Sequence, residues 1–364
     1  MHPNDHAHLA ALGWDDWFAD RFARLAADGT LPARVVADHG TGRTVHTGEA
    51  TLPAQLHPRL TAAARRHADP ILPAVGDWVA IRSGGGRATI EAVLERRTAF
   101  RRKVAGQTSH EQVLAANVDI AIVMAAADVE PNLRRLERTL AMAVASGARP
   151  LVLLSKADLA GAAAGTRAAA AERIAAGAPV LALSSRTGEG VELLPRLIPA
   201  ASTAVLLGPS GVGKSTLVNR LAGDDLMRTG DVRSDGKGRH TTTHRELLAM
   251  PWGGLLIDTP GMRELQLWMD VEDAGGIAQL FADVDELAAR CRFSDCRHTN
   301  EPACAVRAAI ERGDLTAGRL ESYRKLQREA AAVDRRVGRR HSREAALGRS
   351  RRIAQLREEE LSGG

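Results

Sequence analysis

Apolar positions change their spacing three times along this 364-residue chain. Over 9–28 (LAALGWDDWFADRFARLAAD), Trp14, Trp17, Phe18 and Leu25 recur at helical intervals. They predict one amphipathic helix whose aromatic stripe is core or a docking face. From about Ala33 to Arg102 the runs ARVVAD, RTVHTGEAT, GDWVAIR and ATIEAVLERR are short, β-rich and broken by Gly and Pro, with a GGG turn at 84–86. They predict a small all-β barrel or sandwich. An oligonucleotide-binding (OB) barrel is one form of it that the pattern alone does not select. From Asn117 apolar strands (VDIAIVMAAA, RPLVLLS, PVLALSS, TAVLLG) alternate with helices over NLRRLERTLAMAVASG, 165–177 and 189–197. Continuous apolar strands separated by helices predict a mostly parallel sheet covered on both faces. A polar, Gly-rich stretch at 223–244 and one more strand, GGLLID, complete this region, and beyond Asp283 the chain reads as helical, polar and then basic.

The chemistry is concentrated in the α/β region. Gly208, Pro209, Ser210, Gly211, Val212, Gly213, Lys214, Ser215 and Thr216 match the phosphate-loop pattern GxxxxGK[ST] and lie between a predicted strand and helix. Glycines there let backbone amides turn inward around phosphates, Lys214 reaches the terminal phosphates, and the Ser215 hydroxyl ligates Mg²⁺. Downstream, LLIDTPGM ends a strand at Asp258, which can hold Mg²⁺, with the Gly261 amide placed to sense a γ-phosphate. Between them RTGDVRSDGKGRHTTTHRE is poor in apolar residues and predicts a switch that a ligand orders. One of Thr241, Thr242 and Thr243 is its natural second Mg²⁺ ligand.

Upstream of the phosphate loop, LVLLSKADLAG places Ser155, Lys156, Ala157 and Asp158 after a strand. A carboxylate on such a loop accepts from guanine N1–H and the 2-amino group, a donor pair adenine lacks. Lys156 would lie along the base plane, and Ser184 and Ser185 in SSRTG would form the second base-contacting loop. The order SKAD, SSRTG, phosphate loop, threonine switch, DTPG is the usual order of a GTPase cut and rejoined, a circular permutation. Neighbouring termini make this rearrangement cheap. Met262, after DTPG, cannot orient water, so intrinsic hydrolysis should be slow.

Composition adds two points. Residues 319–357 hold 13 Lys/Arg against 4 Asp/Glu, while the net charge of the whole chain is only +5. Basicity is therefore confined to a late segment that would present Arg335, Arg336, Arg339 and Arg340 to nucleic-acid phosphates. The three cysteines also cluster: Cys291, Cys296, His298 and Cys304 give CxxxxCxHxxxxxC, a closed tetrahedral donor set suited to one structural zinc ion. No apolar run reaches the ~18 residues of a membrane helix, and MHPNDHAHLA lacks the features of a signal peptide. These absences predict a cytoplasmic chain with no membrane contact.

VGDWV (75–79), QVLAANVDIAIV (112–123), LERTL (136–140), GRHTTTHRE (238–246) and DTPGMREL (258–265) resemble the RsgA family, also called YjeQ or YloQ, over nearly the whole length. The resemblance implies a multidomain fold: an N-terminal helical extension (1–30), an OB-fold barrel (31–103), a circularly permuted P-loop GTPase domain (104–282), and a zinc-binding helical domain with a basic C-terminal helix (283–364). It implies slow GTP hydrolysis stimulated by the small (30S) ribosomal subunit, binding to that subunit's rRNA, and help in its late maturation with release of assembly factors. We expect a monomer using Mg²⁺ with GTP. His240 resembles the family's catalytic histidine. The chain departs from the family at Ser155, where asparagine is usual and bridges base and phosphate loop. The alternatives are a GTP-dependent RNA-binding switch whose hydrolysis is incidental, and an ATP-using P-loop kinase that would have no use for SKAD or the cluster.

Overall fold

The computed structural model describes residues 3–40, 42–66, 72–103, 111–226, 245–258 and 274–328. The chain divides into two compact units, residues 1–269 and 270–364. The first opens with a 3-10 helix, Pro3–Leu12, and a helix α1, Asp16–Leu25, where periodicity predicted one helix over 9–28. The break lies at Gly13: its φ is +86°, and a Cβ there would lie 2.8 Å from the Ala201 carbonyl oxygen. Asp15 then caps α1, accepting from the amides of Trp17 and Phe18 at 3.1 and 3.3 Å. The aromatic stripe is core, with Trp14, Phe18 and Phe22 packed on Trp78.

β1 (Leu31–Asp38), β2 (Arg43–His46), β3 (Thr51–Leu56), helix α2 (Pro58–Arg66), β4 (Trp78–Gly84) and β5 (Arg87–Val93) follow. The strands pair in the order β1-β2-β3-β5-β4, and β4 pairs back onto β1. This closes a five-stranded barrel in which only β3 and β5 run parallel, the OB arrangement. Alternate positions point inward, and Val35, Val45, Val79, Ile81 and Ile90 form the barrel core.

β6 (Ala99–Lys103) and β7 (Glu111–Ala116) form a separate two-stranded ribbon that the apolar pattern did not reveal. Next come β8 (Ile120–Ala126), α3 (Leu133–Ala145), β9 (Arg149–Ser155), the short α4 (Ala157–Ala160), α5 (Ala163–Glu172) and β10 (Val180–Ala182). A 3-10 turn, Val191–Leu193, leads into α6 (Leu194–Leu197), then β11 (Thr203–Leu207) and α7 (Lys214–Leu226). β12 (Arg245–Ala249) and β13 (Leu255–Asp258) complete the sheet. Its order is β10-β9-β8-β11-β13-β12, parallel throughout except for β12. Ile122, Met124, Leu153, Leu206, Leu217 and Leu256 pack together in its core. Each such side chain contributes roughly 1.5–3 kcal/mol by burial.

β12 pairs on its other side with barrel strand β1, Ala37 opposite Glu246 and Asp38 opposite Arg245, so barrel and α/β region share one sheet. Arg34 of β1 reinforces the seam. It donates to the carbonyls of Leu12, Gly76 and Asn117 and, at 2.8 Å, to the Thr203 hydroxyl at the start of β11. Complete burial lowers its pKa to about 10, against the opposing pull of Asp119 and Asp77.

The second unit contains α8 (Ala274–Leu280), α9 (Ala282–Ala288), α10 (Ala305–Arg312) and a helix over 317–328, with no strand among its described residues. Helix therefore begins before the position 283 expected from polarity. Arg319 holds these helices together: Nε donates to Asp283 at 2.6 Å, Nη2 to the Leu280 carbonyl at 2.8 Å, and the guanidinium lies over Phe281.

Candidate functional site

The connectivity of the sheet points to the site. From β8 the chain moves outward to β9 and β10, then returns to β11 on the other side of β8 and continues to β13. The carboxyl ends of β8 and β11 therefore flank the reversal point, where open α/β sheets take ligands. Gly208 leaves β11 there, and a Cβ on it would lie 2.7 Å from the Met124 carbonyl of β8. Gly211 and Gly213 have φ of +77° and +100°, and α7 starts directly after them at Lys214. Lys214 is buried, with Nζ folded back onto the carbonyls of Gly208 and Pro209 at 2.6 and 2.7 Å. A helix N-terminus behind a glycine-rich turn is an anion cradle.

Ser155, the last residue of β9, joins this loop to the next. Its hydroxyl donates to the Val212 carbonyl of the phosphate loop, with the Ala125 carbonyl 3.3 Å away as the other acceptor. The shorter side chain at 155 thus still ties strand to phosphate loop. Lys156, with φ of +60°, turns the chain into α4 and donates to Asp128 at 3.2 Å. Asp158 follows, and its Oδ2 accepts from Arg186 Nε at 2.9 Å and Nη2 at 2.7 Å. Hydrogen bonds from Ser184 and Arg186 hold this carboxyl below its ordinary value of 3.8.

The loop after β10 is pinned by its own backbone. The Thr187 amide donates to the Ser184 hydroxyl at 3.1 Å, and the Gly188 amide to the Ser184 carbonyl at 2.9 Å. Arg220 of α7 donates to the carbonyls of Arg186 and Thr187 at 3.2 and 3.4 Å, which fixes this loop to the helix that follows the phosphate loop. The Ser185 hydroxyl oxygen is buried without a protein partner. The Ser155, Asp158, Ser184 and Lys214 loops thus converge at one end of the sheet, and Asp258 closes β13 at the same end. His240, Thr241, Thr242 and Gly261 lie outside the described residues, as do Thr243, Met262 and Arg335, Arg336, Arg339 and Arg340. Arg186, Arg220 and Asp128 were not singled out from sequence. Arg186 stands inside SSRTG, but no spacing pairs it with Asp158.

In the second unit Cys291, Cys296, His298 and Cys304 bring their ligand atoms within 4.8 Å of one another. The sulfurs of Cys291 and Cys304 are 3.9 Å apart, and His298 Nδ1 is 3.5 Å from each. Tetrahedral zinc with Zn–S of about 2.3 Å and Zn–N of about 2.0–2.1 Å requires about 3.8 Å between sulfurs and about 3.6 Å between sulfur and nitrogen. The four residues therefore fit a metal ion. Burial and Arg324 lower the His298 pKa, favouring the neutral, ligating imidazole. Burial and the two neighbouring sulfurs raise Cys296 to about 11, a conflict that a bound cation removes.

A phosphate-loop, circularly permuted nucleotide-binding domain between an OB barrel and a Cys/His helical unit is the class of protein that this fold and site define. The RsgA GTPase family model matches residues 93–268. A model for ABC transporters matches 197–364, beginning just before the phosphate-loop strand that many nucleotide-binding families share; the described residues from 274 on form helices and a Cys/His cluster, not a continuing sheet. A small ribosomal subunit biogenesis GTPase RsgA from Opitutus terrae is 50% identical over 90% of this chain and 91% of its own length. One from Streptomyces coelicolor is 46% identical over 95% of each. Among solved structures, YjeQ from Thermotoga maritima is 26% identical with a TM-score of 0.64, covering 83% of this chain and 99% of that one. YloQ, described as a circularly permuted GTPase, gives 25% and 0.59 over 84% and 96%. The chain belongs to the RsgA GTPase family.

Proposed function

We propose that this protein hydrolyses GTP slowly, under stimulation by the small ribosomal subunit, and assists late maturation of that subunit. One observation supports this reading above the others: the Ser155 hydroxyl binds the phosphate-loop carbonyl of Val212 three residues before Asp158, so a base-reading carboxylate and a phosphate cradle share one site. Asp158 accepts from guanine N1–H and the 2-amino group, and Lys156 lies along the base. The buried Ser185 hydroxyl is available to the base edge. Lys214 exchanges its loop carbonyls for β- and γ-phosphate oxygens. Ser215, Asp258 and one of Thr241, Thr242 and Thr243 hold Mg²⁺, Gly261 senses the γ-phosphate, and His240 assists the attacking water.

The ion at the Cys/His cluster is zinc in a structural role, because four protein ligands leave no open position. The barrel and the basic segment grip rRNA, and hydrolysis releases assembly factors. The protein acts as a monomer in the cytoplasm; none of the described helices is long and apolar enough to cross a membrane. GTP turnover measured with and without purified small subunits tests the reading. Stimulation supports it, whereas GTP-dependent co-sedimentation without stimulation favours an RNA-binding switch in which hydrolysis is incidental.

A further inference from the structure

Asp158, assigned above to guanine, already holds a partner. Arg186 presents its Nε–H and Nη2–H edge to Oδ2 at 2.9 and 2.7 Å. Guanine offers the same chemical fragment, a ring N–H beside an amino group on one shared carbon. We propose that Arg186 is an internal competitor for the guanine subsite, capturing the Asp158 carboxylate as the base lifts away and so setting how fast guanine nucleotides are released.

The geometry favours exchange over a permanent tie. The Asp158 side chain is 9% exposed, whereas that of Arg186 is 72% exposed, so the arginine reaches in from solvent and can leave without opening the core. Only the side chain needs to move. The Arg186 carbonyl is held by Arg220, and the loop closes on itself through Ser184, Thr187 and Gly188. Both guanidinium donors land on one oxygen, while guanine engages both oxygens of the carboxylate. The incoming base is therefore the better-matched occupant, and its net affinity is reduced by what the ion pair contributes. Adenine lacks the donor pair and cannot replace the arginine in kind.

The inference rests on the assignment of Asp158 to guanine, and the test separates the two. Full-length protein is loaded with a fluorescent GDP analogue and chased with excess GDP in a stopped-flow instrument. Arg186→Ala should slow release and tighten GDP binding by roughly two- to fivefold, the range a largely exposed ion pair supports. Arg186→Lys, with one ammonium in place of a two-donor edge, should fall between alanine and wild type. The difference should shrink as salt rises. Release at or above the wild-type rate in Arg186→Ala overturns the competitor role. Asp158→Asn is run alone and with Arg186→Ala. Retained guanine preference in Asp158→Asn means that the assignment itself fails. Lost preference with a persisting Arg186→Ala effect leaves the assignment standing and overturns the competitor. Lost preference with no further effect of Arg186→Ala supports both.

Discussion

The nucleotide site and the Cys/His cluster solve the problem of holding functional groups in opposite ways. The cluster draws its four ligands from the segment 291–304, which contains no helix or strand. α10 starts just after its last ligand, and Glu301 adds local support, its carboxylate gathering the amides of Arg297, Thr299 and Asn300 at 2.7–3.0 Å. The candidate nucleotide site collects residues scattered from 155 to 258, and its described members stand at strand ends (Ser155, Asp258), at a helix start (Lys214) or in the loop after β10 (Ser184, Ser185), backed by Ile122, Met124, Leu153, Leu206 and Leu217. A donor set of the first kind fits an ion, and binding one would add to the stability of its segment. The described loops of the second site are held instead by the packed sheet behind them.

Metal removal should separate them most sharply. Structural zinc supplies an apparent ~10–16 kcal/mol of folding free energy in small domains. Cys296→Ser or chelation should therefore make the unit 270–364 protease-sensitive. GDP affinity should stay within about twofold of wild type in a titration with a fluorescent analogue. A parallel collapse of GDP binding would break the comparison by showing that the two sites share stability.

Asp158→Asn comes next and should act in the opposite sense. Guanine-over-adenine preference should fall by up to about 10⁴, read by competition titration, because a site built for a donor pair rejects a base lacking it far more strongly than shape alone can. Proteolysis of the second unit should not change.

Acid sharpens the contrast without mutation. Asp158 titrates below 3.8, so its charge, fully present above that value, survives a shift from pH 7 to pH 5 and is lost only as pH falls through its lowered value. The cluster has the reverse exposure. Cys296, raised to about 11, must lose a proton to bind metal, and His298 must stay neutral, so protons compete with the ion as pH falls. Bound metal measured after dialysis at pH 5 should drop while guanine preference persists.

The smallest effect expected is that of Ser155→Ala. Losing the hydroxyl leaves the Val212 carbonyl without its donor, a cost of about 1 kcal/mol. GDP affinity should weaken roughly three- to tenfold with no change in metal content. Unchanged affinity would show that the tie between strand and phosphate loop does not position the nucleotide.

Much of the site was legible because its signals are local. GxxxxGK[ST], SKAD, SSRTG and CxxxxCxHxxxxxC each occupy at most fourteen residues and carry their chemistry in residue type and spacing. β12 was not legible: RELLA is short and half-exposed, and it becomes a strand through pairing with β13 on one side and β1 on the other. The helix expected over 9–28 failed for a similar reason, since the close approach of Ala201 to Gly13, far away in sequence, has no local sign.

By itself, then, the sequence determined the identity and order of the elements with strong periodicity, the phosphate loop, the permuted motif order and the ligand set of the cluster. These follow from interactions within a few residues, where side-chain period and spacing act directly. The tertiary structure decided that barrel and α/β region share one sheet through β1 and β12, that Arg34 crosses that seam, and that Arg186 occupies Asp158. Those contacts join residues 28 to 209 positions apart along the chain. Such pairings are selected by the burial and hydrogen-bond satisfaction of the whole fold, and no local pattern carries them.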